Sequence, residues 1–414
     1  MRALFVSHNG MAENLGQSQV LPYLRGLAKR GVDIDLLSFE LPALSSDVRE
    51  GIASEMRRDD IRWHPLVRTI GGSLAVKIAE AQRGVVLALR TARAHRPDIV
   101  HGRGYFTTAI CDTVAGVSRR SKLLFDCRGM IGDEYVDCGY WTKDRLEYRL
   151  VKGYERRLFR RSDGIVVLTR ALQSWLCENG VLGRHPEHTV IPCCVDMARF
   201  RPSDEARIRI RRELGLGDRL TMVYAGSLGT WYLEPEMARF AAVVRARVEA
   251  RGGRVAFVCY TPDDASGLRE QLEKRGFAPA DVIVRRIPPK QMPEHLAAGD
   301  IGLSFIQSCF SKKGSSPTKV AEYLACGNIA VVNGDIGDQA DLAGEKDSCV
   351  VLADFSDMEI ERAAIRAVEL ASERPRESTV AAAVDTARRH FDLEEVGVAR
   401  YARLYEAIVK KKEP

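Results

Sequence analysis

The stretch ALFVSHNGMAENLGQSQVLPYLRGLAKRGVDIDLLSF (3–39) decides the fold. ALFVS (3–7) and VDIDLLSF (32–39) are short apolar runs of strand type, and LPYLRGLAKRG (21–31) between them has helical spacing. Strand, helix, strand in succession is a βαβ unit, which calls for parallel strands under a covering helix. The same alternation continues outward. IRWHPLV (61–67), DIVH (98–101), LLFD (123–126) and GIVVLT (164–169) read as strands. SLAVKIAEAQRGVVLALRTARAHR (73–96) reads as a helix with Gly84 a break point, and KDRLEYRLVKGYERRLFRR (143–161) as another.

Near 192 the pattern changes. PCCVDMARFRPSDEA (192–206) has two prolines, mixed charge and little apolar period, so it reads as a linker. The alternation then restarts with TMVYAG (221–226), RVAFVCY (254–260), VIVRRI (282–287), IGLSFI (301–306), IAVVNG (329–334) and CVVLA (349–353) as strands. The expected fold is α/β, two doubly wound Rossmann-like parallel-sheet domains facing an interdomain cleft. The first covers 1–192, a hinge 193–203 and the second 204–390. An amphipathic helix with a frayed basic end closes the chain at 391–414.

Composition agrees with this plan. The 414 residues suit two domains, and 45% hydrophobic with 29% charged residues excludes disorder and collagen-like fibre. No uncharged apolar run approaches the ~18 residues of a membrane span. The opening MRALFVSHNG turns polar too early for a signal peptide. The ten cysteines include no C-x-x-C pair, so they read as reduced thiols of a cytoplasmic protein with no metal site. A formal charge of +6 is too diffuse for a nucleic-acid binder and fits an anionic small substrate, an anionic membrane face, or equally a solvated basic surface with no partner.

The chemistry concentrates in SKKGSSPTKVAEYLACG (311–327). Ser316 suits an N-cap, Pro317 the first helical position and Gly327 the position past the end. A helix Pro317–Cys326 after a Gly/Ser-rich loop offers free N–H groups and a partial positive charge to a phosphate. Lys319 and Glu322 share one face of it, an ammonium for diphosphate oxygens and a carboxylate for a ribose diol. The same two side chains would otherwise form an ordinary surface ion pair. Lys312 and Lys313 add charge on the incoming loop. GSLGTWY (226–232) follows a strand and offers Ser227, Gly229 and Thr230 to a ligand, or is an ordinary glycine turn. In HNGMAENLGQSQ (8–19), Gly16 before a helix suits a close ligand approach. FDCRGMIGDEYVDCGYW (125–141) gathers Asp126, Arg128, Asp133 and Glu134 after a strand, as a site or as an ordinary polar surface loop, and His101 points to the same region, where a strand-end histidine is more often a structural hydrogen-bonder than a catalyst. Arg128 could clamp an anion, and a carboxylate could take a proton from an acceptor hydroxyl. HGRGYFT (101–107) lacks the third glycine of a dinucleotide fingerprint, and no P-loop, H-E-x-x-H or G-x-S-x-G is present.

Together, VIPCCVDMARFRP (190–202), MVYAGSLG (222–229), SSPTKVAEYLACGNIAVVNG (315–334) and NGMAENLGQSQVLPYL (9–24) resemble retaining glycosyltransferases of the GT-B fold, family 4 type, in its bacterial polysaccharide-type members. The resemblance implies a nucleoside-diphosphate sugar held by the second domain and a glycan or lipid-linked acceptor held by the first. It implies no metal and no cofactor besides the donor. Carried over, Glu322 holds the ribose, Lys319 with the Ser316, Pro317 and Thr318 backbone holds the diphosphate, Gly16 lies beside it, and Ile287 and Pro288 read the base. The departing diphosphate oxygen takes the acceptor proton. The sequence departs from the family at Gly314, where many members carry a first glutamate, at Ser227 and Trp231 in place of Arg and Lys, and at Arg128 in place of a histidine. An epimerase or phosphorylase of the same fold, or a non-catalytic nucleotide-sugar-binding protein, would use the same residues. The basic stretch 73–96 fits peripheral docking on the cytoplasmic face of an anionic membrane, and equally a helix that covers the sheet.

Overall fold

A computed structural model describes residues 1–69, 71, 74–182 and 187–410. The chain forms two units, Met1–Pro192 with Leu393–Pro414, and Cys193–Asp392. The first is built on β1 (Arg2–Ser7), β2 (Asp33–Glu40), β3 (Ile61–Val67), β4 (Ile99–Arg103), β5 (Lys122–Asp126), β6 (Gly164–Val167) and β7 (Glu187–Val190). All pair in parallel, in the order β3-β2-β1-β4-β5-β6-β7. The second holds β8 (Leu220–Ala225), β9 (Val255–Tyr260), β10 (Val282–Arg285), β11 (Ile301–Ser304), β12 (Ile329–Asn333) and β13 (Cys349–Leu352), in the order β10-β9-β8-β11-β12-β13. Each sheet grows outward from its first strand, then jumps back to that strand's other side. Ligands of such sheets bind at this switch point, past the carboxyl ends of the two central strands. The switch points lie at β1/β4 and at β8/β11.

Alternation along the strands makes both faces of each sheet apolar. Leu220, Met222 and Tyr224 of β8 join one core with Phe257 and Cys259, while Val223 and Ala225 join the other with Val258 and Tyr260. Three expected strands end two residues early, at Val167, Arg285 and Ser304. At the first, Thr169 caps the next helix instead, its Oγ1 accepting from the Leu172 amide at 3.1 Å.

The helix Leu74–His95 runs unbroken through Gly84. A Cβ there would lie 2.7 Å from Ile110 and 2.8 Å from Phe39, so Gly84 is a packing contact, not a break. Ala88 and Ala92 of this helix sit in one core with Leu4, Phe39 and Val100, which makes it a sheet-covering helix. The tail helix Ala399–Lys410 returns to the first unit and buries Tyr401, Leu404, Tyr405 and Ile408, one face at helical spacing. The frayed basic end expected at 411–414 lies outside the described residues. No described helix is long and apolar enough to cross a membrane.

Candidate functional site

At the β8/β11 switch point, the loop after β8 meets the loop after β11. Tyr232 pairs with Ile306 in an antiparallel bridge, Leu233 donates to the Phe305 carbonyl at 3.1 Å and Gln307 to that of Trp231 at 2.8 Å. From the second loop rises the helix Thr318–Ala325. It starts one residue later than the sequence suggested. Ser316 does not cap it, because its Oγ accepts from the Cys193 amide at 3.0 Å. The end is as expected: Gly327, at φ +84°, lets its own N–H bond Leu324 and that of Asn328 bond Tyr323. Tyr323 locks this helix to the sheet. Its hydroxyl accepts from the Ala225 amide at 2.8 Å and donates to the Leu303 carbonyl at 3.2 Å. Gly302 is required beneath it, since a Cβ there would sit 2.3 Å from the Tyr323 ring.

Lys319 is the unusual group. It is 94% buried, its ammonium has no hydrogen-bond partner among the described residues, and Nζ stands 3.9 Å from the ring centres of both Tyr224 and Tyr232. It points at Gly226, where a Cβ would be 3.0 Å from Nζ. Burial pulls its pKa down to about 7 against the opposing pull of Cys259 and Glu322. Glu322, partly exposed one turn on, is pushed up to about 7 by burial, against Arg199 and Lys319. Arg199 also donates to the Pro289 carbonyl, which ties the loop after β10 to the same corner. The lysine and the carboxyl thus stand one turn apart at the start of this helix, within electrostatic reach of each other, an arrangement suited to a phosphate with a polyol beside it.

The other predicted residues of this unit are placed as follows. Lys312 is buried, its Nζ 3.5 Å from the centre of the Trp231 ring, while Lys313 is exposed. Ser227, Gly229 and Thr230 are exposed. The amides of Leu228 and Gly229 are already bound by Asp263 at 2.8 Å and Glu234 at 3.2 Å. Ile287 is partly buried and Pro288 exposed, past the end of β10 at the sheet edge. The sequence reading missed Tyr224, Tyr232 and Arg199. The first two lie in an apolar strand and a glycine loop, and Arg199 in a stretch that reads only as linker.

In the first unit, Asp126 ends β5 as the centre of a buried charge network. Tyr401 of the tail donates to its Oδ2 at 2.9 Å, and Arg128 lies 3.5 Å from its Oδ1. Burial alone would raise this carboxyl, but Arg128, His101 and Arg103 outweigh that and hold it at about 2. His101 has no exposed surface. Its Nδ1 is 2.8 Å from the Tyr405 hydroxyl and its Nε2 3.7 Å from Asp126, and burial lowers its pKa. Arg103 donates to Asn9 at 2.9 Å, joining the end of β4 to the loop after β1. Asp133 is also buried, held by Lys152 at 2.8 Å and Tyr148 at 3.0 Å. Of the four predicted here, Arg128 and Glu134 keep partial exposure, whereas His101 and Asp133 face inward. Gly16 is needed by the backbone itself: a Cβ would fall 2.1 Å from the Gly10 carbonyl oxygen.

Comparison with known proteins agrees with this architecture. Residues 16–194 match the glycosyl transferase 4-like domain family. A Bacillus subtilis protein named as a teichuronic acid biosynthesis glycosyltransferase, TuaC, is 22% identical over 334 residues, spanning 77% of this chain and 76% of the relative. Among solved structures, a glycosyltransferase from Rickettsia africae superposes with a TM-score of 0.72 at 12% identity, covering 99% of both chains. Anabaena HepE, solved with UDP and glucose, superposes at 0.66 and 14% identity, covering 98% of this chain and 99% of its own.

Proposed function

We propose that this chain is a glycosyltransferase of the family 4 type on the GT-B fold, and that its second unit holds the nucleoside-diphosphate sugar around Lys319 and Glu322. The acceptor, a glycan or lipid-linked hydroxyl, meets Arg128 and Glu134 of the first unit. The observation that carries this is the Lys319 ammonium, buried without a hydrogen-bond acceptor at the sheet's switch point. A buried cation without a counter-charge is costly, and a diphosphate oxygen supplies one. The helix Thr318–Ala325 directs its partial positive end to the same anion, and Lys312 adds charge nearby. These groups meet the negative charge that grows on the departing diphosphate, in place of a metal ion. Glu322 accepts hydrogen bonds from the ribose, with Ile287 and Pro288 beside the base.

In the transfer, the bond from the anomeric carbon to the diphosphate oxygen breaks and a bond to the acceptor oxygen forms with retained configuration. The acceptor proton passes to the departing diphosphate oxygen, so no separate strong base is required. UDP sugars are the first donors to test, because HepE was solved with UDP. Glu322→Ala should raise the donor KM at least tenfold. An unchanged KM and kcat in that variant refutes the assignment. Donor incubated alone should stay unconverted apart from slow hydrolysis, and activity should survive a chelator.

A further inference from the structure

Two helices of the first unit, Ile131–Asp137 and Leu146–Arg161, expose residues that helices usually hide. On the first, Ile131 and Tyr135 are 37% and 43% exposed; on the second, Leu146 and Leu150 are 66% and 63% exposed. Both pairs have i, i+4 spacing, so each forms an apolar stripe directed outward. Between them stand Tyr140, 66% exposed, and Trp141, which stacks on Tyr135 at 4.4 Å. Arg145 donates to the Tyr140 carbonyl at 3.3 Å and so ties this turn to the second helix.

Along one side of the second helix the exposed charge is basic. Arg149, Arg156 and Arg160 are exposed and make no ion pair among the described residues. Spaced i, i+7, i+11, they line one face over about 16 Å. Leu146 and Leu150 lie on the adjoining face. Lys143 is likewise exposed and unpaired. Of the acids nearby, Glu147 is matched by Arg145 at 3.6 Å and Asp133 by Lys152 at 2.8 Å, while Asp144 is exposed in the turn and Glu134 and Asp137 are partly exposed on the first helix. The inward positions are spent otherwise: Lys152 on Asp133 and Glu155, Arg157 and Arg161 on Asp112.

We propose that this face, from Ile131 to Arg160, seats the protein on an anionic lipid bilayer. Leu146, Leu150 and Tyr140 enter the interfacial layer, Trp141 and Tyr135 lie at headgroup depth, and the arginine row pairs with lipid phosphates. Exposed leucines beside unpaired arginines match a surface that is apolar within and anionic at its rim. The inference goes beyond the transfer reaction and is read without donor or acceptor.

The test is co-sedimentation of the full chain with vesicles of phosphatidylcholine, alone or with about one third phosphatidylglycerol. Binding to the anionic vesicles is expected, weakening with salt, and little binding to the neutral ones. The triple variant Arg149→Gln/Arg156→Gln/Arg160→Gln should lower the partition coefficient roughly a hundredfold, and Leu146→Ser/Leu150→Ser at least tenfold. Arg90→Gln/Arg93→Gln, on the exposed side of the helix Leu74–His95, should change it less than about twofold. Retained nucleoside-diphosphate affinity and melting temperature show that the variants are folded. No enrichment on anionic vesicles overturns the proposal. So does equal binding of wild type and triple variant, equal binding to neutral vesicles, or loss of binding in the Arg90/Arg93 variant.

Discussion

Raising the pH from 7 to 9 should weaken nucleoside-diphosphate binding about fiftyfold, with Lys319 as the cause. In the folded chain its pKa is pulled down from the ordinary 10.5 to about 7, so at pH 7 about half the molecules carry the ammonium and at pH 9 about one in a hundred. A diphosphate oxygen against Nζ restores the charged form and brings the pKa back towards its ordinary value. Binding above pH 7 must therefore take up a proton, and affinity falls towards tenfold per unit, about 2.3 kcal/mol over the interval. The diphosphate adds no slope of its own there, because a terminal phosphate ionises near 6. Isothermal calorimetry at pH 7, 8 and 9, in buffers of different ionisation enthalpy, reads both the dissociation constant and the proton count. Lys319→Met, close in volume and unable to ionise, should bind weakly at pH 7 and keep only the smaller pH slope that Glu322 contributes. A dissociation constant flat from 7 to 9, or the same slope in Lys319→Met, would falsify the placement of the anion at this lysine.

Gly226→Ala should cost donor affinity more than tenfold, because φ is +130° there and the new Cβ lies 3.0 Å from Nζ of Lys319; donor KM measures it. Asp126→Asn should destabilise the first unit by about 3 kcal/mol, since it leaves Arg128 facing a neutral amide in the interior, as read by chemical denaturation. The folded pKa of Asp126 is depressed to about 2, so its stabilisation is present above pH 3.8 and lost as pH falls towards 2. The acid-unfolding curve of the variant should be correspondingly shallower in that window. Truncation before Ala399 removes Tyr401 and Tyr405 from Asp126 and His101, and limited proteolysis should then cut the 1–192 region faster than the second unit.

The strands could be read because both faces of each sheet are buried, so they appear as unbroken apolar runs separated by helix periods. The helix after Ser316 was legible from Pro317 and Gly327, residues whose backbone preferences are strong. Its cap was misjudged because Ser316 bonds Cys193, more than a hundred residues away, and no local pattern carries such a contact. Gly84 was misread for the same reason: it makes room for Phe39 and Ile110, and a sequence records the small residue but not what fills the space. His101 and Asp133 carry reactive side chains, yet the fold turns them inward onto Tyr405 and Lys152. Charge type is visible in a sequence; direction is not. The stretch 73–96 and the helix Leu146–Arg161 are both basic and apolar in composition, and only packing distinguishes a face that covers a sheet from one left open.

The burial of Lys319 sets function against stability in a definite way. Between pH 7 and 10.5 the folded state binds fewer protons than the unfolded chain at this residue, so the penalty of keeping it buried shrinks as the pH rises across that window. Below 7 the whole penalty is present, a few kcal/mol for a charge with only two aromatic rings to face. A residue chosen for stability alone would be methionine or leucine, packed on Tyr224 and Tyr232. The lysine persists at a cost that only an incoming anion offsets. The second unit should therefore gain more thermal stability from a nucleoside diphosphate near pH 6 than near pH 9. Lys319→Met should invert the order of the two proteins, more stable than wild type without nucleotide and less responsive to it. A variant that is both less stable and equally responsive would mean the lysine serves packing and nothing else.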